Sequence, residues 1–213
     1  MLEELKEANE YIYSKIEKYK KHKIEILNEI EEDARINAVP IIGREVAEYL
    51  KFLVSTNKNI KDILEIGTAT AYSGITMLAE IQERDGSLTT IEIDETRFNT
   101  AKENFKKSKL NGVNQILGDA GEEIKKLNKK FDFVFIDAAK GQYKIFFEDS
   151  FKLLNEDGII FIDNIMFRGY LYRESPKRYK TIVKRLDEFI DYLYQNYNFV
   201  LLPVSDGIGL IRK

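Results

Sequence analysis

Two apolar runs in this chain finish in aspartate. One is Phe-Asp-Phe-Val-Phe-Ile-Asp at 131–137, and the other is Gly-Ile-Ile-Phe-Ile-Asp at 158–163, followed at once by Asn164. If the runs are neighbouring strands, about 4.8 Å apart, Asp137 and Asp163 face one another. Two carboxylates that close repel unless a cation lies between them. With the Asn164 amide oxygen they make a candidate site for Mg²⁺, or for Mn²⁺ or Ca²⁺, with positions left open for water. The plain alternative is that one aspartate only caps a helix.

A second set of residues suits a small cofactor. An apolar run ends Leu-Glu-Ile-Gly-Thr-Ala-Thr-Ala-Tyr-Ser-Gly at 64–74. Gly67 permits a tight strand-to-helix turn. A dinucleotide fingerprint needs glycine two residues on, where backbone meets pyrophosphate; here that residue is Ala69. A cofactor without pyrophosphate therefore fits better than NAD. Glu65 is placed to receive the amino group of a methionine moiety, and Ser73 its carboxylate. Glu92 ends the next run, where a carboxylate accepts both ribose hydroxyls, and Asp119-Ala120 ends the third at the level of an adenine ring. Acidic residues near strand ends are common singly. Glu65, Gly67, Glu92 and Asp119 at three successive ends form a set.

The elements that hold these residues are readable from periodicity. Polar helices, one or two, are expected over 2–35, and another over 43–54. From residue 60, strands at 60–67, 87–93, 114–117, 131–137 and 158–163 alternate with amphipathic helices, the first three of which run to about 83, 109 and 128. Such alternation implies a parallel sheet covered on both faces. Runs at 198–204 and 208–212 around Ser-Asp-Gly read as a hairpin with an Asp-Gly turn. The expected fold is α/β: a mostly parallel seven-stranded sheet closed by a C-terminal antiparallel hairpin, which resembles the Rossmann-like class I methyltransferase fold. One domain over 1–213 is expected, with N-terminal helices at 1–55 and an α/β core at 56–213.

Composition removes several other chemistries. There is no cysteine, hence no disulfide, thiolate metal site or cysteine nucleophile, and the one histidine, His22, cannot build a zinc site. No apolar run approaches the roughly 18–20 residues of a membrane span, and the acidic N-terminus is not a secretory signal, so no membrane partner and a cytoplasmic location are expected. A net charge of −3 gives no global attraction to nucleic acid. The local exception is 168–185, where Arg168, Arg173, Lys177, Arg178, Lys180, Lys184 and Arg185 are interleaved with Glu174 and with Tyr170, Tyr172 and Tyr179. These suit phosphates and unpaired bases, with Lys18, Lys20, Lys21 and Lys23 as a possible extension. A solvated helix face is the ordinary alternative.

Glu-Ile-Gly-Thr-Ala at 65–69, Ile-Asp-Ala-Ala-Lys-Gly-Gln-Tyr at 136–143 and Ile-Asp-Asn at 162–164 together resemble the cation-dependent O-methyltransferases related to the caffeoyl-CoA and catechol enzymes. The likeness runs from about residue 35 to the end. It implies S-adenosylmethionine as cofactor, Asp137, Asp163 and Asn164 as metal ligands around an acceptor hydroxyl, and Asp137 also near the cofactor. Lys140 matches that family's general base; a solvent-facing lysine is its alternative. A cation beside it would acidify the bound hydroxyl, and proximity would supply much of the rate.

Within the family the likeness is greatest to bacterial tRNA 5-hydroxyuridine methyltransferases. It is carried by Val-Pro-Ile-Ile at 39–42, Ala-Ala-Lys-Gly-Gln-Tyr at 138–143, Asp-Asn-Ile-Met-Phe-Arg-Gly-Tyr at 163–170 and Pro-Val-Ser-Asp-Gly-Ile-Gly at 203–209. Ile42 stands where that family has methionine, a change that a backbone contact to the cofactor survives. This likeness implies tRNA as partner, held at its anticodon arm by Arg168, Arg173, Lys177, Arg178 and Lys180, and a homodimer. Absence of cysteine agrees, since methylating an oxygen needs only deprotonation, whereas methylating uracil C5 needs a covalent nucleophile. The rival readings are methylation of a small catechol-like molecule and a non-catalytic sensor using the pocket for binding alone.

Overall fold

The computed structural model describes residues 2–19, 22 and 24–213, with side chains from Glu7 onward. Lys20, Lys21 and Lys23 of the expected basic extension lie outside the described residues. Helices α1 (Leu2–Tyr19), α2 (Ile26–Asn37) and α3 (Arg44–Thr56) precede the first strand. Then follow β1 (Asp62–Ile66), α4 (Tyr72–Ile81), β2 (Ser87–Glu92), α5 (Glu95–Ser108), β3 (Val113–Leu117), α6 (Ala120–Glu123), β4 (Phe131–Ile136), α7 (Tyr143–Leu153) and β5 (Leu154–Ile162). The chain continues with α8 (Lys180–Asn196), β6 (Asn198–Leu202) and β7 (Ile208–Arg212).

The strands form one sheet in the order β3-β2-β1-β4-β5-β7-β6. β1 to β5 are parallel, and β7 runs antiparallel to both β5 and β6. This is the expected class I methyltransferase architecture. Its strand order reverses between β1 and β4, and ligands in open α/β sheets bind beyond the strand ends at such a switch point.

The apolar runs follow from burial on two faces. In β4, Phe133 and Phe135 pack with α3 and α4 on one face, while Val134 and Ile136 pack with α7 and α8 on the other. Side chains alternate along a strand, so a strand covered on both sides reads as continuous hydrophobe. α8 buries Leu186, Phe189, Ile190 and Leu193, a helical stripe that leaves Lys180, Lys184 and Arg185 exposed.

Three expectations need correction. The helix expected to reach about 128 is a single turn, α6, followed by a 3-10 turn at Ile124–Lys126. Gly121 is a poor helix former, and Ile124 is the only fully buried anchor in that stretch. β5 begins earlier than 158, with a register irregularity between its pairings to Phe131 and Phe133. Around that irregularity Asp157 turns left-handed at φ 63°. The β6–β7 hairpin forms around Ser-Asp-Gly as expected, but β6 ends at Leu202 and the connection spans residues 203–207, with Gly207 N–H bonded to the Val204 carbonyl at 2.9 Å. Among the described residues no helix is long and apolar enough to cross a membrane.

Candidate active site

The carboxyl ends of the strands open onto a cavity of about 540 Å³. Its floor depends on one missing side chain. Gly67, at φ 97°, lies so near β4 that an added Cβ would stand 2.1 Å from the Asp137 carbonyl oxygen. No larger residue fits between the first strand turn and the fourth strand end. The turn then passes through Ala69 at φ 46° and Ala71 at φ 74°, conformations that cost an L-residue roughly 1–3 kcal/mol unless the surroundings hold them. Glu92 holds Ala69: its Oε2 accepts from Ala69 N at 2.8 Å, and its Oε1 accepts from Asp94 N at 2.9 Å. Both oxygens keep a lone pair, and Glu92 lines the cavity.

Asp119 caps α6, accepting from Gly121 N at 2.7 Å, and lines the cavity with Ala120. Pro40 follows the left-handed end of α2 at Ala38, and the chain stays extended until Gly43 starts α3. That stretch brings Ile42 to the cavity wall.

Glu65 is placed differently from the expectation. It is fully buried and absent from the cavity wall. Ser73 Oγ donates to its Oε1 at 2.6 Å and Thr90 Oγ1 to its Oε2 at 2.6 Å, with Thr68 bonded to Thr90 at 2.5 Å. Ser73 and Thr68 do line the cavity. Glu65 is therefore a support behind two hydroxyls and not a direct contact. Burial pushes its carboxyl up to about 7, the two hydroxyls oppose that shift, and Asp137 and Glu92 add to it.

At the other end of the cavity the two aspartates are neighbours, as strand pairing requires. Ile136 pairs with Ile162, and Asp163 N donates to the Ile136 carbonyl at 2.9 Å. Lys140 sits in a 3-10 turn at Lys140–Gln142. Its Nζ donates to Asp137 Oδ1 at 2.8 Å and to the Tyr143 hydroxyl at 2.7 Å, and that hydroxyl donates to the Asp163 carbonyl at 2.8 Å. Tyr143 is buried, and burial, then Asp137, Asp163 and Asp206, hold its hydroxyl well above the usual range. Lys140, Asp137 and Asn164 line the cavity, with Asp163 directly behind.

Asp163 is the site's anomaly. It is 0% exposed, and among the described residues neither carboxylate oxygen has a well-formed hydrogen bond, although the Asn164 amide groups lie near enough to act on it. Burial, and then Asp137, push it up to about 7, with Asn164 and Lys140 opposing. A buried carboxylate left short of donors is costly, and a hard cation satisfies it. Among the described residues no three His, Asp or Glu gather as a metal cluster, so the donor set is two carboxylates and the Asn164 amide. That set fits a divalent oxygen-binding ion.

The basic stretch begins at the cavity. Phe167 and Arg168 line it, and Arg173, Lys177, Arg178 and Lys180 are exposed beyond it. Lys184 pairs with Glu188 at 3.6 Å; the other four have no salt bridge among the described residues. Two of the tyrosines expected to stack on bases are already engaged. Tyr170 and Tyr179 stack on each other at 5.6 Å, and Phe167 meets both edge-on. Tyr172 is the exposed one, with the Arg173 guanidinium 5.4 Å from its ring centre.

Residue types and spacing gave no role to three residues that shape the cavity. Tyr143 lies three positions after Lys140, a spacing that was a usable signal. Asp206 lines the cavity from the β6–β7 turn. Tyr72 lines it from the start of α4 and donates to Glu31 of α2. Glu31 also binds Arg44 Nε at 2.9 Å and His22 Nε2 at 2.8 Å. Despite its burial, those three partners hold its carboxyl down to about 2.

Residues 15–213 match the model of the O-methyltransferase family. The chain is 33% identical over 165 residues to tapetum-specific methyltransferase 1 of Arabidopsis thaliana, covering 73% of this chain and 70% of that one. It is 27% identical over 183 residues to the caffeoyl-CoA O-methyltransferase of Populus kitakamiensis, covering 80% and 75%. A crystal structure from Staphylococcus aureus, of a protein assigned to the caffeoyl-CoA O-methyltransferases, superposes with a TM-score of 0.85 at 32% identity, covering 97% of this chain and 99% of that one. The S-adenosylhomocysteine-bound Podospora anserina methyltransferase PaMTH1 superposes with a TM-score of 0.85 at 26% identity, covering 97% and 95%. The sheet order, the cavity at its switch point and these likenesses lead to one conclusion: the chain belongs to the S-adenosylmethionine-dependent O-methyltransferase family, of the caffeoyl-CoA type.

Proposed function

We propose that this protein is a Mg²⁺-dependent enzyme that methylates 5-hydroxyuridine to 5-methoxyuridine at the wobble position of tRNA. One observation carries the choice of acceptor: Arg173, Lys177, Arg178 and Lys180, exposed and without carboxylate partners among the described residues, follow after Arg168 at the cavity mouth. Unpaired cations beside an active site suit a phosphate backbone, and each contact adds to a salt-dependent affinity. The reading extends to a homodimer, for which exposed Tyr11 and Ile12 on α1 and Phe52 on α3 offer apolar surface.

Asp137, Asp163 and Asn164 would hold the cation, which when bound acts as a Lewis acid on the acceptor hydroxyl. Lys140, whose charged ammonium a cation held there would disfavour, takes that hydroxyl's proton as the neutral amine, on its Nζ lone pair, while its two N–H bonds to Asp137 and Tyr143 keep that lone pair aimed. The acceptor oxygen then takes the methyl group in line, and the carbon–sulfur bonding pair stays on sulfur. Glu92 accepts the ribose hydroxyls, Asp119-Ala120 flank the adenine ring, and the Ile42 main chain contacts the cofactor.

Nucleoside mass spectrometry of tRNA from cells with and without the gene tests the reading; 5-methoxyuridine that persists in its absence overturns it. A second reading, a small catechol-like acceptor, is favoured by the likeness to caffeoyl-CoA O-methyltransferases. Efficient turnover of free catechols, with tRNA neither methylated nor competing, would select it.

A further inference from the structure

Residues 164–170 leave β5 by an improbable path. Asn164 has φ 53°, and three consecutive residues follow in the left-handed region: Phe167 at 47°, Arg168 at 59° and Gly169 at 71°. Only the last is glycine. Non-glycine residues persist there when surrounding structure over-determines them, and such residues cluster at functional sites. Successive residues of this kind turn their N–H groups toward one side and make a concavity for an anion.

The anion is internal. Asp206, on the turn between β6 and β7, accepts from Arg168 N through Oδ2 at 2.5 Å and from Gly169 N through Oδ1 at 3.1 Å. Its main chain joins in: Met166 N donates to the Asp206 carbonyl at 2.9 Å, and Ile165 N donates to the Gly207 carbonyl at 3.1 Å. Gly207, at φ 85°, packs so close to Met166 that an added Cβ would be 2.4 Å from its Cγ. The far side of the loop is set by the Phe167, Tyr170 and Tyr179 cluster. Phe167, Arg168 and Asp206 all face the same cavity as Lys140 and Asn164.

We infer that Asp206 is a positioning residue, which through two backbone N–H groups holds Phe167 and Arg168 as the wall that selects and seats the acceptor. Both carboxylate oxygens are needed. An asparagine there offers one acceptor oxygen and turns an amide NH₂ toward a backbone N–H that has no other partner among the described residues. The adenosine end of the cavity is built by other strands, so its binding does not pass through this clamp.

The test is Asp206→Asn, read by amide hydrogen exchange at Arg168 and Gly169 and by tryptic cleavage after exposed Arg168. Exchange and cleavage are expected to quicken at least tenfold, while calorimetric affinity for S-adenosylmethionine stays within twofold. The Michaelis constant for the acceptor, either a 5-hydroxyuridine anticodon stem-loop or a catechol, is expected to rise at least fivefold with a smaller change in kcat. If Asp206→Asn fails to fold, Asp206→Glu, which keeps both carboxylate oxygens but displaces them by one methylene, supplies the same exchange, cleavage and kinetic measurements with Arg168 intact. Unchanged exchange at both amides overturns the inference, whichever acceptor proves correct. Faster exchange with no change in acceptor kinetics overturns the role in seating the acceptor. A failure of the tRNA reading shows separately, as a stem-loop that is not methylated by the unmodified protein.

Discussion

The Tyr143 hydroxyl and the main-chain carbonyl of Asp163 are 2.8 Å apart, with the tyrosine donating. Because the same oxygen accepts from Lys140 Nζ at 2.7 Å, a single buried hydroxyl ties the β5 end to the lysine that follows β4. Tyr143→Phe removes both bonds at once. We expect kcat to fall by about 10²-fold, within the span of general acid–base effects. Leaving a buried carbonyl unpaired should also cost about 1–3 kcal/mol of stability. Steady-state kinetics and denaturant unfolding check the two effects, and full turnover with normal stability would remove Tyr143 from the site.

Lys140→Ala and charge reversal of Lys177, Arg178 and Lys180 to glutamate are expected to act on different constants. The first lowers kcat while the acceptor still binds, since its role is proton removal. The second raises the Michaelis constant for tRNA and flattens its salt dependence by roughly 0.7–0.9 per lost contact, with cofactor affinity intact. Activity measured across a salt series separates them.

Chelation with EDTA should abolish turnover, and Mg²⁺ or Mn²⁺ should restore it. An independent reading comes from melting curves. Divalent ions should raise the melting temperature of the unmodified protein, because they satisfy the orphaned Asp163 oxygens. The rise should vanish in Asp163→Asn. Activity that survives exhaustive chelation would end the cation assignment.

Glu92→Ala should weaken S-adenosylmethionine binding by about 1.5–3 kcal/mol, the range of a charged hydrogen bond. It should also free the left-handed Ala69 that Glu92 restrains. Calorimetry with an unchanged dissociation constant would exclude it from the pocket.

Glu31 gives a pH signature. Its carboxyl titrates near 2 in the fold, against an ordinary value of 4.5. The unfolded chain therefore binds the proton first as acid is added, and the stabilisation is complete above about 4.5 and is lost as pH falls toward 2. Glu31→Gln should show a shallower loss of stability over that window. Equal acid sensitivity of both proteins would show that the Glu31 carboxylate, with its His22, Arg44 and Tyr72 partners, does not stabilise the fold.

The central sheet and both aspartates were legible because their evidence is local. Each strand buried on two faces announces itself as an apolar run, and Asp137 and Asp163 are simply the first polar residues after β4 and β5. Depth was not legible. Glu65 ends β1 much as Glu92 ends β2, yet one lies beneath Ser73 and Thr90 while the other reaches the cavity, a difference set by packing above the strand. Contacts between distant segments were hidden for a related reason. Asp206 reads as a turn residue until β7 is known to lie beside β5, and Tyr170 and Tyr179 read as free until the chain between them is seen to fold back. The Glu31–Tyr72 bond joins helices whose docking no periodicity reports.

Gly67 leaves almost no clearance between the first strand turn and the Asp137 carbonyl. A displacement of either is passed to the other, because close-packed interiors deform little. The two halves of the cavity are in this sense one mechanical part. A ligand that draws Asp137 toward itself also sets the floor under the cofactor, so each occupant should change the other's affinity by the same factor in both directions.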